Sequence, residues 1–154
     1  MASRASSAPD QAWAQLVPEL LISDLSASLR FWRDLCGFRV LFDRVDEGFA
    51  YLDRGGAQIM LDQRGLTRDW ETAAMELPYG RGVNFQVSVV AIEPIVSTLA
   101  AAGWSLFLEP EQKWYRTGDV ETGVQQFLVQ DPDGYLVRFS ARIGERAAEK
   151  PDGL

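Results

Sequence analysis

The stretch DPDGYLVRF, residues 131–139, places one chemically able side chain in an otherwise apolar strand. Pro132 presets the second position of a turn and Gly134 closes it. Beyond the turn, Tyr135, Val137 and Phe139 alternate with Leu136, Arg138 and Ser140, which puts Arg138 on the less apolar face. A guanidinium there is permanently charged and offers donors to a ligand's carbonyl or carboxylate. The chain contains no histidine, so imidazole bases, Ser-His-Asp triads and imidazole metal ligands are all excluded. Its single cysteine, Cys36, lies in RDLCGF at a helix end and reads as core-facing, with a nucleophilic role the remote alternative. One cysteine permits no intrachain disulfide and fits a reducing cytoplasm.

Charge narrows the partners further. A net charge of −7 argues against nucleic acid, whose phosphates require a positive surface, and leaves cationic ligands open. Glu109, Glu111, Asp119 and Glu121 form an acidic cluster that would attract such a cation, with a solvated surface as the plainer reading. No run approaches the roughly 20 apolar residues that span a bilayer, so no membrane association is expected. MASRASSAPDQAWAQ lacks the apolar stretch of an export signal.

The elements that must position these residues come in two copies of one plan. LVPELLISDLSASLRFWRDLCGFRVLF and VNFQVSVVAIEPIVSTLAAAGWSLFLEP each run strand, helix, glycine, aromatic, strand. Asp24 caps the first helix, whose stripe is Leu25, Leu29, Trp32 and Cys36. Pro94 suits the first turn of the second, striped by Ile92, Ile95, Leu99 and Ala102. Gly37 and Gly103 fit left-handed helix ends. RVLFD, FAYLD and AQIMLD follow the first helix as strands; SLFLE, GVQQFLVQ and YLVRFSA follow the second. The prediction is an α+β fold of two βαβββ modules within one domain at 16–141. The first module is 16–63 and the second 83–141, joined by linker 64–82, which has the length of a functional flap with one helical turn at most. Residues 1–15 read as a flexible N-terminal arm and 142–154 as a flexible C-terminal tail.

Paired βαβββ modules carrying SDLSASLRFWRDLCGF and QDPDGYLVRF resemble the vicinal oxygen chelate superfamily, which includes glyoxalase I, extradiol dioxygenases, and the fosfomycin and bleomycin resistance proteins. The resemblance spans about residues 16–141 and implies modules curled into half-cups. In metal-dependent relatives histidine and glutamate ligands sit at positions that fall here on Val17, Met60, Asn84 (or Gly82) and Arg138. Valine cannot bind a metal, a guanidinium repels one, and a thioether with an amide is too little. No metal and no other cofactor is therefore expected. The resemblance is closest to the bleomycin resistance proteins: VPELLISD, Phe31-Trp32, and aromatic strand residues at Phe42 and Phe49 match them. That likeness implies a homodimer with drug-binding clefts and an N-terminal arm crossing to the partner at Pro18. The family's drug-stacking tryptophan falls on Gly123, and Trp114 and Tyr115 stand nearby at another offset.

On this register Val17, Glu19 and Leu21 face the cup, as do Asn84, Gln86 and Ser88. Arg138 either pairs with Glu19 across the cup or reaches solvent at its rim. Phe42, Phe49 and Tyr51 line either the site or the core. Trp70, Trp114 and Tyr115 read as loop aromatics lining the groove. The expected ligand-binding set is thus Glu19, Phe42, Phe49, Tyr51, Met60, Trp70, Asn84, Gln86, Trp114, Tyr115 and Arg138. The expected function is sequestration of a drug-like, aromatic and cationic small molecule in a dimer-interface groove. The alternative is a metal-independent isomerase, lyase or hydrolase with Glu19 as base and Arg138 stabilising an anion.

Overall fold

The computed structural model describes residues 12–149, so most of the N-terminal arm and the last five residues lie outside the description. The first module contains β1 (Glu19–Ile22), α1 (Leu25–Leu29), β2 (Arg39–Arg44), β3 (Phe49–Arg54) and β4 (Ala57–Gln63). The second contains β5 (Asn84–Ser88), α2 (Glu93–Ala101), β6 (Leu108–Thr117), β7 (Val120–Gln130) and β8 (Leu136–Ala147). Each module forms one four-stranded mixed sheet, in the orders β1-β4-β3-β2 and β5-β8-β7-β6. The parallel pairs are β1 with β4 and β5 with β8; the remaining pairs are antiparallel. Two βαβββ modules in an α+β fold are what the duplicated pattern predicts. Among the described residues no helix is long and apolar enough to cross a membrane.

Alternation decides which face of each sheet is buried. Leu20, Ile22, Ala50, Leu52, Ile59 and Leu61 are buried in the first sheet, and Val87, Phe127, Val129, Val137 and Phe139 in the second. All belong to one continuous core shared with the helices. Asp24 caps α1 by accepting a hydrogen bond from the Ser26 amide. The helix then widens into a π turn over Arg30–Leu35. The extra residue per turn lets two adjacent large side chains, Phe31 and Trp32, both become fully buried. Gly37 and Gly103 end the two helical stretches at φ +79° and +69°, the left-handed cap.

The DPDGY turn fastens the modules together. Asp131 accepts hydrogen bonds from the amides of Asp133 and Tyr135 through Oδ1, and from the Trp32 indole through Oδ2. Asp133 accepts from the Ser23 amide, and the Tyr135 hydroxyl donates to the Leu21 carbonyl. Tyr79 in the linker donates its amide to the Asp133 carbonyl. Motif, linker and the end of β1 therefore form one junction. The linker has no helical turn. It is instead held by Arg64, which reaches Glu71 at 2.6 Å and the Tyr79 hydroxyl at 3.0 Å.

Three expectations are corrected. SLFLE is not a strand from its start, since β6 begins at Leu108 and runs on to Thr117. The segment expected as a loop around Trp114 and Tyr115 is the long β6–β7 hairpin, and β8 continues to Ala147, so residues 142–147 are strand and not tail. Polar side chains at KWYRT and RIGER hide a strand signal because both faces there are half-solvated.

Candidate functional site: two open sheet faces

The face of each sheet turned away from the core carries the functional candidates. In the first module, strand register lays them out as two rows. Glu19 stands beside Met60, Met60 beside Tyr51, and Tyr51 beside Phe42. In the next row Leu21 adjoins Asp62, Asp62 adjoins Phe49, and Phe49 adjoins Arg44. Phe42 and Tyr51 stack at 5.1 Å with 19° between their planes, and Phe42 meets Phe49 at 5.9 Å. Offset stacking at these separations adds to what burial alone contributes.

Both inner rings are covered by the chain itself. The Arg44 guanidinium lies 3.9 Å above the Phe49 ring while also reaching Glu47 at 2.8 Å. The Trp13 indole packs edge-on against Tyr51 at 5.3 Å and Phe42 at 6.0 Å. Tyr51 and Phe49 are consequently buried, whereas Phe42 remains 41% exposed. Trp13 is held because the Gln58 carboxamide reads the backbone around it. It accepts from the Ala14 amide and donates to the Ala12 carbonyl, both at 2.9 Å. The same group accepts from the Tyr51 hydroxyl at 2.7 Å and donates to Asp53 at 3.0 Å. The described part of the arm thus lies on its own module.

Electrostatics distinguishes this floor. Burial, then Asp62, pushes the Glu19 carboxyl above its ordinary value, against the opposing pull of Arg44. Burial, then Asp69, raises Asp62 likewise, again opposed by Arg44. Two reluctant carboxylates beside stacked rings favour a cation in their neighbourhood.

The second module's open face is different. Gln86, Arg138 and Leu128 are in register across it, followed by Ser88, Ser140 and Gln126. Arg138, Gln86, Ser140, Tyr115, Thr117 and Thr122 surround a hollow of 230 Å³. No residue of the first module lines it, and no ion pair joins Arg138 to Glu19. Asn84, exposed at the edge strand, adjoins a second hollow of 300 Å³ that is lined by Ala14, Pro18 and Gln58 of the first module together with Gln86 of the second.

The sequence-derived set is therefore divided. Glu19, Phe42, Phe49, Tyr51 and Met60 come together on the first floor; Gln86, Tyr115 and Arg138 come together on the second. Trp114 joins neither. It neighbours Tyr115 on β6 and so points to the opposite face, where its ring lies against Gly123 with the Arg146 guanidinium 4.2 Å above it. Trp70 is 72% exposed in the linker, and its ring contact is with Arg68. Sequence reading passed over Trp13 and Arg44. Period-two alternation from Phe42 signals Arg44, as alternation from Met60 places Asp62 on the same face; nothing local signals Trp13.

A metal does not fit. Among the described residues no three Cys, Asp or Glu side chains converge as ligands. The positions carried over for ligands are a valine, a thioether, an amide and a cation, and the cation stands on a different sheet from the thioether.

Comparison with known proteins agrees with the fold. Residues 14–139 match the Glyoxalase family, described as the Glyoxalase/Bleomycin resistance protein/Dioxygenase superfamily. The virulence protein STM3117 of Salmonella typhimurium is 26% identical over 125 residues, 80% of this chain and 81% of that protein. Its crystal structure superposes with a TM-score of 0.61 at 24% identity, covering 87% of this chain and 98% of that one. TioX from Micromonospora sp. ML1 gives a TM-score of 0.64 at 23% identity, over 86% and 100% of the two chains. A superfamily member from Vibrio splendidus 12B01 is 41% identical, over 82% of this chain and 97% of that one, with a TM-score of 0.37. The duplicated βαβββ architecture and a match running through both modules have one consequence: this chain belongs to the glyoxalase/bleomycin resistance protein/dioxygenase superfamily.

Proposed function

We propose that this protein sequesters a planar, cationic, drug-like small molecule of the bleomycin type, without metal and without transforming it. The observation that carries the reading is the first module's open face, where stacked Phe42 and Tyr51 lie beside Glu19 and Asp62, both carboxyls held above their ordinary range. The half-exposed Phe42 ring, backed by Tyr51, supplies a platform for planar groups, and carboxylates supply the charge that selects a cation. The enzyme reading requires Glu19 and Arg138 to act on one substrate. The raised pKa of Glu19 suits a base, but within one chain Arg138 lies in a hollow built only from the other module.

A groove follows if two copies pair so that the first floor of one faces the second floor of the other. This homodimer is part of the proposal, as is a cytoplasmic setting. Exchange of the arm at Pro18 would require the partner's Gln58 to take over the backbone of residues 12–14. Calorimetric titration with bleomycin, copper-free and copper-loaded, tests the reading. One drug bound per subunit, weakened about tenfold by Phe42→Ala, is the expected result. Absence of saturable heat at high micromolar drug would sink it.

A further inference from the structure

Arg138 differs from the described arginines that pair with carboxylates. Arg33, Arg44, Arg64, Arg142 and Arg146 all reach a carboxylate within 3 Å. Arg138 makes no hydrogen bond or ion pair among the described residues, and its Nε is shut off from solvent with no acceptor. The residue as a whole is half-buried, and a guanidinium cannot shed its charge, so an acceptor on the edge that lines the hollow would offset its partial desolvation. Its surroundings supply further donors, with one buried unpaired acceptor, Gln126 Oε1, on the neighbouring row. The Tyr115 hydroxyl already accepts from the Gln126 amide at 2.7 Å, which leaves the phenolic proton free to be donated. The Gln86 amide and the Ser140 hydroxyl flank Arg138 in the same hollow.

We propose that this hollow is an oxyanion site, taking the carboxylate or phosphate group of a small molecule on the Arg138 guanidinium. Its volume of 230 Å³ falls below the ~300–1,000 Å³ of pockets that enclose whole drug-sized ligands. It therefore suits a small anion or one end of a larger molecule. A planar bidentate acceptor satisfies the guanidinium fork best. The site lies on the second module and stands whether or not the aromatic floor binds a drug.

The test is calorimetry and thermal shift with inorganic phosphate and with succinate, against chloride at equal ionic strength. Wild-type protein should show saturable binding of one of them, which also identifies the anion class. Arg138→Gln should weaken it by more than about tenfold, and Arg138→Lys should weaken it less while keeping the charge. Should the glutamine variant fail to fold, the lysine variant carries the comparison. No saturable anion binding, or equal binding by wild type and both variants, overturns the proposal. So does binding that emerges only in Glu19→Gln, because Arg138 would then belong to a partner copy's carboxylate. These probes carry no ring, so their failure leaves the reading of the aromatic floor untouched.

Discussion

Asp131 accepts three hydrogen bonds and is still pushed up to about 6, because burial outweighs what the Tyr135, Trp32 and Asp133 donors return. Its folded-state value exceeds its ordinary 3.8, so the folded protein holds the proton more tightly than the unfolded chain. Stability contributed here is complete below about pH 4 and declines through about pH 6, by up to about 3 kcal/mol. Glu19 and Asp62 shift in the same direction. Urea unfolding followed from about pH 4 to pH 7 should therefore show falling stability, and Asp131→Asn should flatten the slope. Gly123 gives a second residue-scale prediction. A Cβ there would meet the Trp114 ring at 2.8 Å, so Gly123→Ala must dislodge the indole from Arg146. A cost of about 1–3 kcal/mol in urea unfolding is expected. Cys36 is fully buried, and burial raises its thiol far above the reactive range. Native protein should resist iodoacetamide, with labelling only on unfolding, which removes the nucleophile reading. That placement was legible from RDLCGF; Trp114 was not, because one residue of strand register separates it from Tyr115 and sends it to the other face.

At the scale of elements, the helices, their caps and seven strand cores follow from patterns visible in the sequence. SDLSASLRFW shows its Asp24 cap, and the apolar alternation in FAYLD, AQIMLD and YLVRF is clear because one face meets the core. The outer halves of β6 and β8 escaped detection because Lys113, Arg116, Arg142 and Arg146 project from strands with no buried face to enforce alternation. The arm was expected to be loose, yet Gln58 ties residues 12–14 to β4 through contacts 44 and 46 residues apart in sequence. No local pattern encodes such pairing. Gln58→Leu should release this segment and leave the Tyr51 hydroxyl and Asp53 short of a partner. We expect a loss of about 1–3 kcal/mol with faster amide exchange at residues 12–16. Unchanged exchange there would show that Trp13 alone holds the arm.

For the whole molecule, duplication sets the architecture and divergence between the copies sets the chemistry. One module presents rings with carboxylates, the other hydroxyls and amides around a lone guanidinium, and in one chain no ring of the first floor lines the Arg138 hollow. If two copies pair as proposed, unlike floors come together, and light scattering should give twice the mass of one chain, with dissociation on dilution. The candidate site was legible to the extent that strand alternation places Glu19, Phe42, Tyr51, Gln86 and Arg138 on open faces. Which floor each belongs to was not, since the register of two sheets relative to each other leaves no trace in local sequence. The aromatic floor is proposed to hold a drug-like cation and to leave it unchanged. Equilibrium dialysis of bleomycin against wild-type and Phe42→Ala protein, with mass spectrometry of the recovered drug, tests it most directly. Drug should be retained by the wild type, largely lost from Phe42→Ala, and recovered at its original mass. Equal retention by both proteins, or drug recovered at an altered mass, would contradict it.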